Sequence, residues 1–144
     1  MLFRSKTIGA RIAVTCSSGK MDLCRALGAD LVLERSPAAW LTEAMAAVPD
    51  GFDTILDVIG GEEIERNLQA VAMKGRIIQV GLMGGSTVPV NASALMGRRA
   101  SWIGTMLRAR PIEEKIALTR RFAAEMLPLF DTGRLKPEIG RAHV

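Results

Sequence analysis

The stretch "DTILDVIGGEEIERNLQAVAMKGRIIQVGLMGG" (residues 53–85) decides the fold because it places two short apolar runs on either side of a helical pattern. The apolar, β-branched residues predict one strand at 54–58 and another at 76–80. Between them, the apolar positions of 62–73 fall on one helical face. Strand, helix and strand over about 30 residues are typical of a parallel crossover.

The sequence on both sides continues this alternation. Further strands are predicted at 11–15, 30–33 and 100–106, and further helices at 20–27, at 37–48, after the capping residue Asn91, and from Pro111 to Leu127. The pattern predicts an α/β fold with a doubly wound, Rossmann-type parallel sheet and flanking helices. In such sheets ligands bind at the carboxyl ends of the strands, so we look for a site there.

Composition excludes several classes of protein. A chain of 144 residues with 49% hydrophobic residues is long enough for one domain with a core. It has no apolar run of the roughly 20 residues that a membrane span needs and no secretory signal, so a cytoplasmic protein is predicted. The net charge of +4 comes with 4% aromatic residues and no basic cluster longer than two, which argues against nucleic-acid binding.

The two cysteines, Cys16 and Cys24, form no CxxC pair, and the sequence has one histidine, His143. This spacing does not match a zinc site, so no metal ligand is assigned and reduced thiols are expected.

Five glycines follow the strands at 54–58 and 76–80: Gly60, Gly61, Gly81, Gly84 and Gly85. One interpretation is that a flat, charged cofactor approaches the backbone where no β-carbon stands in its way. The other interpretation is that these glycines merely permit tight turns with positive φ. Their position after successive strands favours a nucleotide site.

Ser17, Ser18 and Lys20 follow the strand at 11–15, where the adenosine ribose of a dinucleotide lies in folds of this kind. No carboxylate precedes Asp22, whereas hydroxyl groups and a lysine can bind a 2′-phosphate. The chain is therefore predicted to bind NADPH. The alternative is that Ser18 caps the helix and Lys20 is solvated.

Several motifs resemble one protein family: Leu27-Gly28-Ala29, LDVIGG at 56–61, ERNL at 65–68, GLMGG at 81–85 and LRAR at 107–110. On these motifs, residues 6–138 resemble the middle and later part of a quinone oxidoreductase of the zinc-free medium-chain dehydrogenase/reductase superfamily, particularly its p53-inducible branch. The resemblance implies an oxidoreductase that transfers hydride from NADPH to a quinone or an activated alkene (enone). It also implies a homodimer joined through the strand at 100–106.

The resemblance assigns roles by position. Ser18 and Lys20 would face the adenosine phosphate, and Arg35 stands where the family usually has a tyrosine, keeping a planar group and adding a charge. The other implied cofactor contacts are Val58, Ile59 and Gly60 at the ribose nearer the nicotinamide, Gly81, Leu82 and Met83 at the nicotinamide edge, and Leu107 and Arg108 beside them.

Residues 6–10 resemble the end of the helix that follows the family's glycine-rich, pyrophosphate-binding turn, so that turn and the first strand are expected to be missing. The family's separate barrel-like domain is expected to be missing too. No catalytic residue is assigned, and the chain by itself is expected to be inactive. Residues 1–5 and 139–144 can be encoded by opposite strands of one sequencing-library adapter, which leaves 6–138 as a truncated dinucleotide-binding domain.

Two alternatives belong to other classes. An isolated cofactor domain could act as a non-enzymatic nucleotide-sensing module, because a fold alone does not fix a function. A methyltransferase-like domain also ends its strands with glycines and carboxylates, and Asp57 would suit it. The GLMGG and LRAR motifs argue against the methyltransferase.

Overall fold

A computed structural model describes residues 2–36 and 39–135 of the chain. In chain order the elements are α1 (Leu2–Thr7), β1 (Ala13–Cys16), α2 (Met21–Ala26), β2 (Leu31–Glu34), α3 (Trp40–Ala47), β3 (Phe52–Asp57), α4 (Glu63–Ala70), β4 (Val71–Gln79), α5 (Ala92–Arg98), β5 (Ser101–Gly104) and α6 (Ile112–Asp131). A single 3-10 turn, Ser18–Lys20, precedes α2. They form two compact units, Met1–Arg35 with Arg110–Val144, and Ser36–Ala109.

All strand pairs in the described residues are parallel. In the first unit β1 pairs with β2, and in the second unit β4 lies between β3 and β5. Parallel strands alternating with helices confirm the predicted Rossmann-type α/β class. The strands form two sheets rather than one, and the prediction of a missing first strand stays a prediction.

The helix predicted at 62–73 is shorter in the structure, and this boundary was wrong. It ends at Ala70, because Val71 takes an extended conformation and starts β4 by pairing with Phe52. Val71 is fully buried. It therefore fits the apolar spacing of a helix in the sequence, although in the structure it packs into the core from a strand. A register shift between Phe52 and Thr54, with Lys74 at φ +60°, then marks a bulge that breaks the simple alternation.

Helix α6 is longer than predicted. It continues past Leu127 to Asp131, and Thr132 ends it by donating its hydroxyl hydrogen bond to the Pro128 and Leu129 carbonyls, each at 3.2 Å. None of its residues is buried. In the part of the chain that the structure covers, no helix combines the length and apolarity needed to cross a membrane.

The core of the second unit lies between α4 and β4. Ile64, Leu68, Val71 and Ile77 are its buried members. Partly buried apolar side chains pack against them from β3, the segment before α5, α5 itself and the residue before β5: Ile55, Val88, Val90, Ala94, Leu95 and Ala100. Asn91 caps α5 as predicted, because its side chain accepts hydrogen bonds from the Ser93 and Ala94 amides at 3.1 and 3.3 Å. This core supports the strands whose carboxyl ends carry the second group of predicted site residues.

Candidate functional site

The first group of predicted cofactor contacts lies at the carboxyl ends of β1 and β2. Cys16 and Glu34 are paired in register there, and the Arg35 amide donates a hydrogen bond to the Cys16 carbonyl at 2.7 Å. The chain then leaves β1 through the 3-10 turn. The structure therefore brings together, with exposed side chains, all four predicted residues of this group: Ser17, Ser18, Lys20 and Arg35.

The pKa of the Cys16 thiol reflects the charges near this edge. Burial raises the pKa of Cys16, and a hydrogen bond with Cys24 acts in the same direction, whereas the charges of Arg25 and Lys20 act in the opposite direction. The charge of Lys20 therefore acts on the end of β1 in the direction that favours a negative charge. The nearby Asp22 carboxylate is paired with Arg25 at 2.7 Å.

The capping alternative for Ser18 is wrong. Ser17 is the N-cap of the 3-10 turn, Lys20 is the N-cap of α2, and neither makes a side-chain capping hydrogen bond. Ser18 lies inside the turn with an exposed hydroxyl. The exposed side chain of Lys20 is compatible with both interpretations, solvation and phosphate binding.

The second group lies at the carboxyl edge of the three-stranded sheet. Asp57, Gln79 and Gly104 end their strands side by side in register. The predicted contacts follow these neighbouring strand ends: Val58, Ile59 and Gly60 after β3, Gly81, Leu82 and Met83 after β4, and Leu107 and Arg108 after β5. Because the strands are parallel, the three segments emerge at one edge. Their roles as cofactor contacts stay predictions.

Asp57 shapes the turn after β3. Its side chain is 3% exposed. One carboxylate oxygen accepts hydrogen bonds from the Ile59 and Gly60 amides at 2.6 and 2.9 Å, and the other accepts one from the Asn67 side-chain amide at 3.0 Å. A buried carboxylate needs such donors, and here they fix the backbone from 58 to 60. The ERNL motif supplies the asparagine from α4.

The two glycine-rich turns are bonded to each other through the main chain. The Gly84 amide donates to the Ile59 carbonyl at 2.6 Å, and the Gly61 amide donates to the Gly85 carbonyl at 3.2 Å. Gly61 has φ +57°, and a β-carbon there would overlap the Gly84 carbonyl. Gly60 is buried beneath Leu82. Packing of one turn on the other therefore accounts for Gly60 and Gly61, as the tight-turn interpretation requires.

Apolar side chains are exposed on the outside of these turns. Val58 is 42% exposed, Leu82 49% and Met83 75%. Gly81 lies tightly against the turn after β3, because a β-carbon there would come within 2.7 Å of the Val58 carbonyl. A fixed backbone edge with exposed apolar side chains suits a flat ring that carries polar groups at its rim. The residues present therefore fit the nicotinamide end of a dinucleotide.

Sequence reasoning missed the polar residues behind the turns. Asp57 was considered only for a methyltransferase, and Asn67, Gln79 and Trp102 were given no role. The structure joins Gln79 to Trp102, whose indole donates a hydrogen bond to the glutamine side-chain oxygen at 3.2 Å. The polar residue that follows the apolar run of each strand, Asp57 in β3 and Gln79 in β4, was the available signal.

The chain is similar to curated oxidoreductases over part of their length. Quinone oxidoreductase-like protein 2 of Bos taurus is 28% identical over 131 residues, which is 90% of this chain and 37% of the relative. Quinone oxidoreductase of Mus musculus is 27% identical over 116 residues, 78% of this chain and 33% of the relative. The chain thus spans about a third of the length of the curated quinone oxidoreductases that it resembles.

One solved structure is matched over a larger share of its own length than these two relatives are. The nucleotide-binding subdomain of the enoylreductase domain of PpsC from Mycobacterium tuberculosis matches with a TM-score of 0.76 and 27% identity. The match covers 94% of this chain and 76% of that subdomain. The family described as zinc-binding dehydrogenase matches residues 4–124. The chain therefore belongs to the zinc-binding dehydrogenase family, within the medium-chain dehydrogenase/reductase superfamily.

Proposed function

We propose that this chain is the NADPH-binding part of a quinone or enone oxidoreductase. The observation that carries the proposal is the pair of mutually bonded turns after β3 and β4, which present a backbone edge and exposed apolar side chains in a chain of the dehydrogenase family. Ligands of doubly wound sheets bind at this edge. The family membership sets aside the methyltransferase-like alternative.

The preference for NADPH over NADH rests on the first unit. Lys20 and Arg35 present two cations, and Ser17 and Ser18 two hydroxyl groups, at the ends of β1 and β2. A 2′-phosphate has acceptor oxygens for all of these donors, whereas the ribose diol of NADH is usually bound by a carboxylate. Asp22, the first carboxylate after β1, is already paired with Arg25.

The acceptor class is suggested by the relatives, whose names include quinone oxidoreductase. When bound, NADPH would supply one hydride, which a quinone or enone would take together with one proton from solvent to form a hydroquinone or a saturated ketone. The part of this chain is to bind and orient the nicotinamide. We assign no catalytic residue to it, and we expect no quinone turnover from the chain alone.

The test is equilibrium binding of NADPH and NADH to the chain, measured by calorimetry or by ligand-observed NMR. A charge-assisted hydrogen bond to phosphate contributes roughly 1.5–3 kcal/mol, so Lys20→Ala should weaken NADPH binding by about one to two decades. NADH binding should change little. Arg35→Ala is expected to have a smaller effect in the same direction. The matched control is Arg120→Ala, which removes an exposed cation from α6 of the same unit.

An equal loss of affinity for both nucleotides in Lys20→Ala would overturn the phosphate assignment. Failure of the unmodified chain to bind either nucleotide would overturn the proposed function of the chain. Binding that survives a metal chelator is expected, since we propose a zinc-free site. A cytoplasmic location is part of the same proposal, and it accords with the two free cysteines.

We also propose that β5 joins two copies of the chain. It pairs with β4 on one side, and its residues are exposed, including Trp102 at 39% and Ile103 at 42%. An exposed, apolar edge strand is a template for pairing with a second copy. Sedimentation should show a dimer that Ile103→Lys converts to a monomer. A monomer before the substitution would contradict this proposal.

A further inference from the structure

Gln79 stands behind the turn that follows β4. It is the last residue of that strand, 9% exposed, and its backbone is paired with Asp57 on one side and Gly104 on the other. Its carbonyl accepts a hydrogen bond from the Thr105 amide at 3.0 Å. The side chain therefore starts from a backbone position that is fixed on both sides.

The side-chain amide of Gln79 accepts a hydrogen bond through its oxygen and donates through its nitrogen. Its oxygen accepts from the Trp102 indole at 3.2 Å, and its nitrogen donates to the Gly81 carbonyl at 2.7 Å. The same nitrogen lies 3.4 Å from the Asp57 carbonyl. An indole N–H can only donate, so Trp102 determines which end of the amide faces it. The nitrogen is then directed to Gly81.

We propose that Gln79 is a positioning residue for the cofactor, and that Trp102 sets the orientation of its amide. Through Gly81 the amide holds the start of the 81–85 turn, and the far end of that turn is bonded to Ile59 and Gly61 of the other turn. A shift of Gly81 would therefore displace both turns. The effect on cofactor binding rests on the proposed function, whereas the control of the turn does not.

The experiment compares amide hydrogen-exchange protection of Gly61 and Gly84 in the unmodified chain and in variants at matched pH. Gln79→Glu keeps an acceptor for Trp102 but removes the donor to Gly81 at neutral pH. Protection should fall about tenfold, the equivalent of one lost hydrogen bond. Protection should return as the pH falls through the raised pKa of the introduced carboxyl, whose protonated form can donate to Gly81.

Two further variants separate this role from a general loss of stability. Gln79→Met is close in volume and should lose protection at every pH, with no recovery in acid. Trp102→Phe should lower protection about threefold, because the amide is then free to turn. Its control, Trp40→Phe, removes an indole that donates instead to Glu63 at 3.1 Å, and should leave Gly84 unchanged.

Unchanged protection in Gln79→Glu at neutral pH, or equal loss without recovery in both Gln79 variants, would overturn the positioning role. Lower protection with unchanged NADPH affinity would overturn its connection to the cofactor. If the unmodified chain binds no NADPH, the proposed function of the chain fails, and the exchange data still decide whether Gln79 holds the turn.

Discussion

The Asn67 side-chain amide donates a hydrogen bond to the buried carboxylate of Asp57 at 3.0 Å, and this contact joins α4 to the end of β3. The other oxygen of the carboxylate is occupied by the amides of the following turn. The helix therefore contributes directly to the shape of the candidate cofactor edge, in addition to the apolar core beneath it.

Replacing Asn67 with Leu should destabilise the chain by about 1–3 kcal/mol, because one oxygen of a buried carboxylate then has no donor. The measurement is the free energy of unfolding from urea titration. The matched control, Gln69→Ala, changes an exposed residue of the same helix and should stay within about 0.5 kcal/mol. Equal effects of the two substitutions would show that the Asp57 contact contributes nothing.

Replacement by alanine should change the stability of the chain in opposite directions at Gly61 and at Gly97. Gly61→Ala should cost at least about 1–3 kcal/mol, because φ is +57° and the new β-carbon would overlap the Gly84 carbonyl. Gly97 lies in α5 with no atom within 4 Å of a β-carbon position, so Gly97→Ala should stabilise by roughly 0.5–1 kcal/mol. The measurement is the thermal unfolding midpoint of both variants. An unchanged midpoint in Gly61→Ala would contradict the packing of the two turns.

Asp30 should make the stability of the first unit depend on pH. Hydrogen bonds from the Lys6 ammonium, at 2.7 and 2.9 Å, and from the Ile12 amide lower the pKa of its carboxyl. The pKa is lower in the folded chain than in the unfolded one, so the stabilisation is present above the ordinary value of about 3.9 and is lost as the pH falls through the folded value. The difference in unfolding midpoint between the unmodified chain and Asp30→Asn should therefore be larger at neutral pH than in acid. A difference in midpoint that does not change with pH would show that the Lys6–Asp30 ion pair does not contribute to the pH dependence of stability.

The Cys16 thiol should react slowly with iodoacetamide near neutral pH, because burial and the bond with Cys24 raise its pKa. Lys20→Ala should slow the reaction further, since the lysine charge favours the thiolate. The rate at Cys16 can be followed peptide by peptide with mass spectrometry. A faster reaction in this variant would mean that Lys20 does not face the end of β1.

The strand and helix pattern was readable from sequence wherever apolar spacing and capping residues agreed. Asn91 before α5 and the alternation around β3 and β4 are such cases, and the predicted class is confirmed. The end of α4 was misread because Val71 fits the apolar spacing of a helix and also the buried face of a strand. The contact of Gln79 with Trp102 could not be predicted, since it depends on the register of β4 against β5. The contact of Asp57 with Asn67 could not be predicted either, since it depends on how α4 packs beside β3.

The bonds that hold the two turns together are made by main-chain atoms and by the buried side chains of Asp57 and Gln79. None of these hydrogen bonds uses the side chains of Val58 or Met83, which are exposed, whereas the Leu82 side chain also packs over Gly60. Val58 and Met83 can therefore be randomised in a library without loss of the scaffold. A designer who wished to change what this edge accepts would start with them and leave the amides behind them untouched.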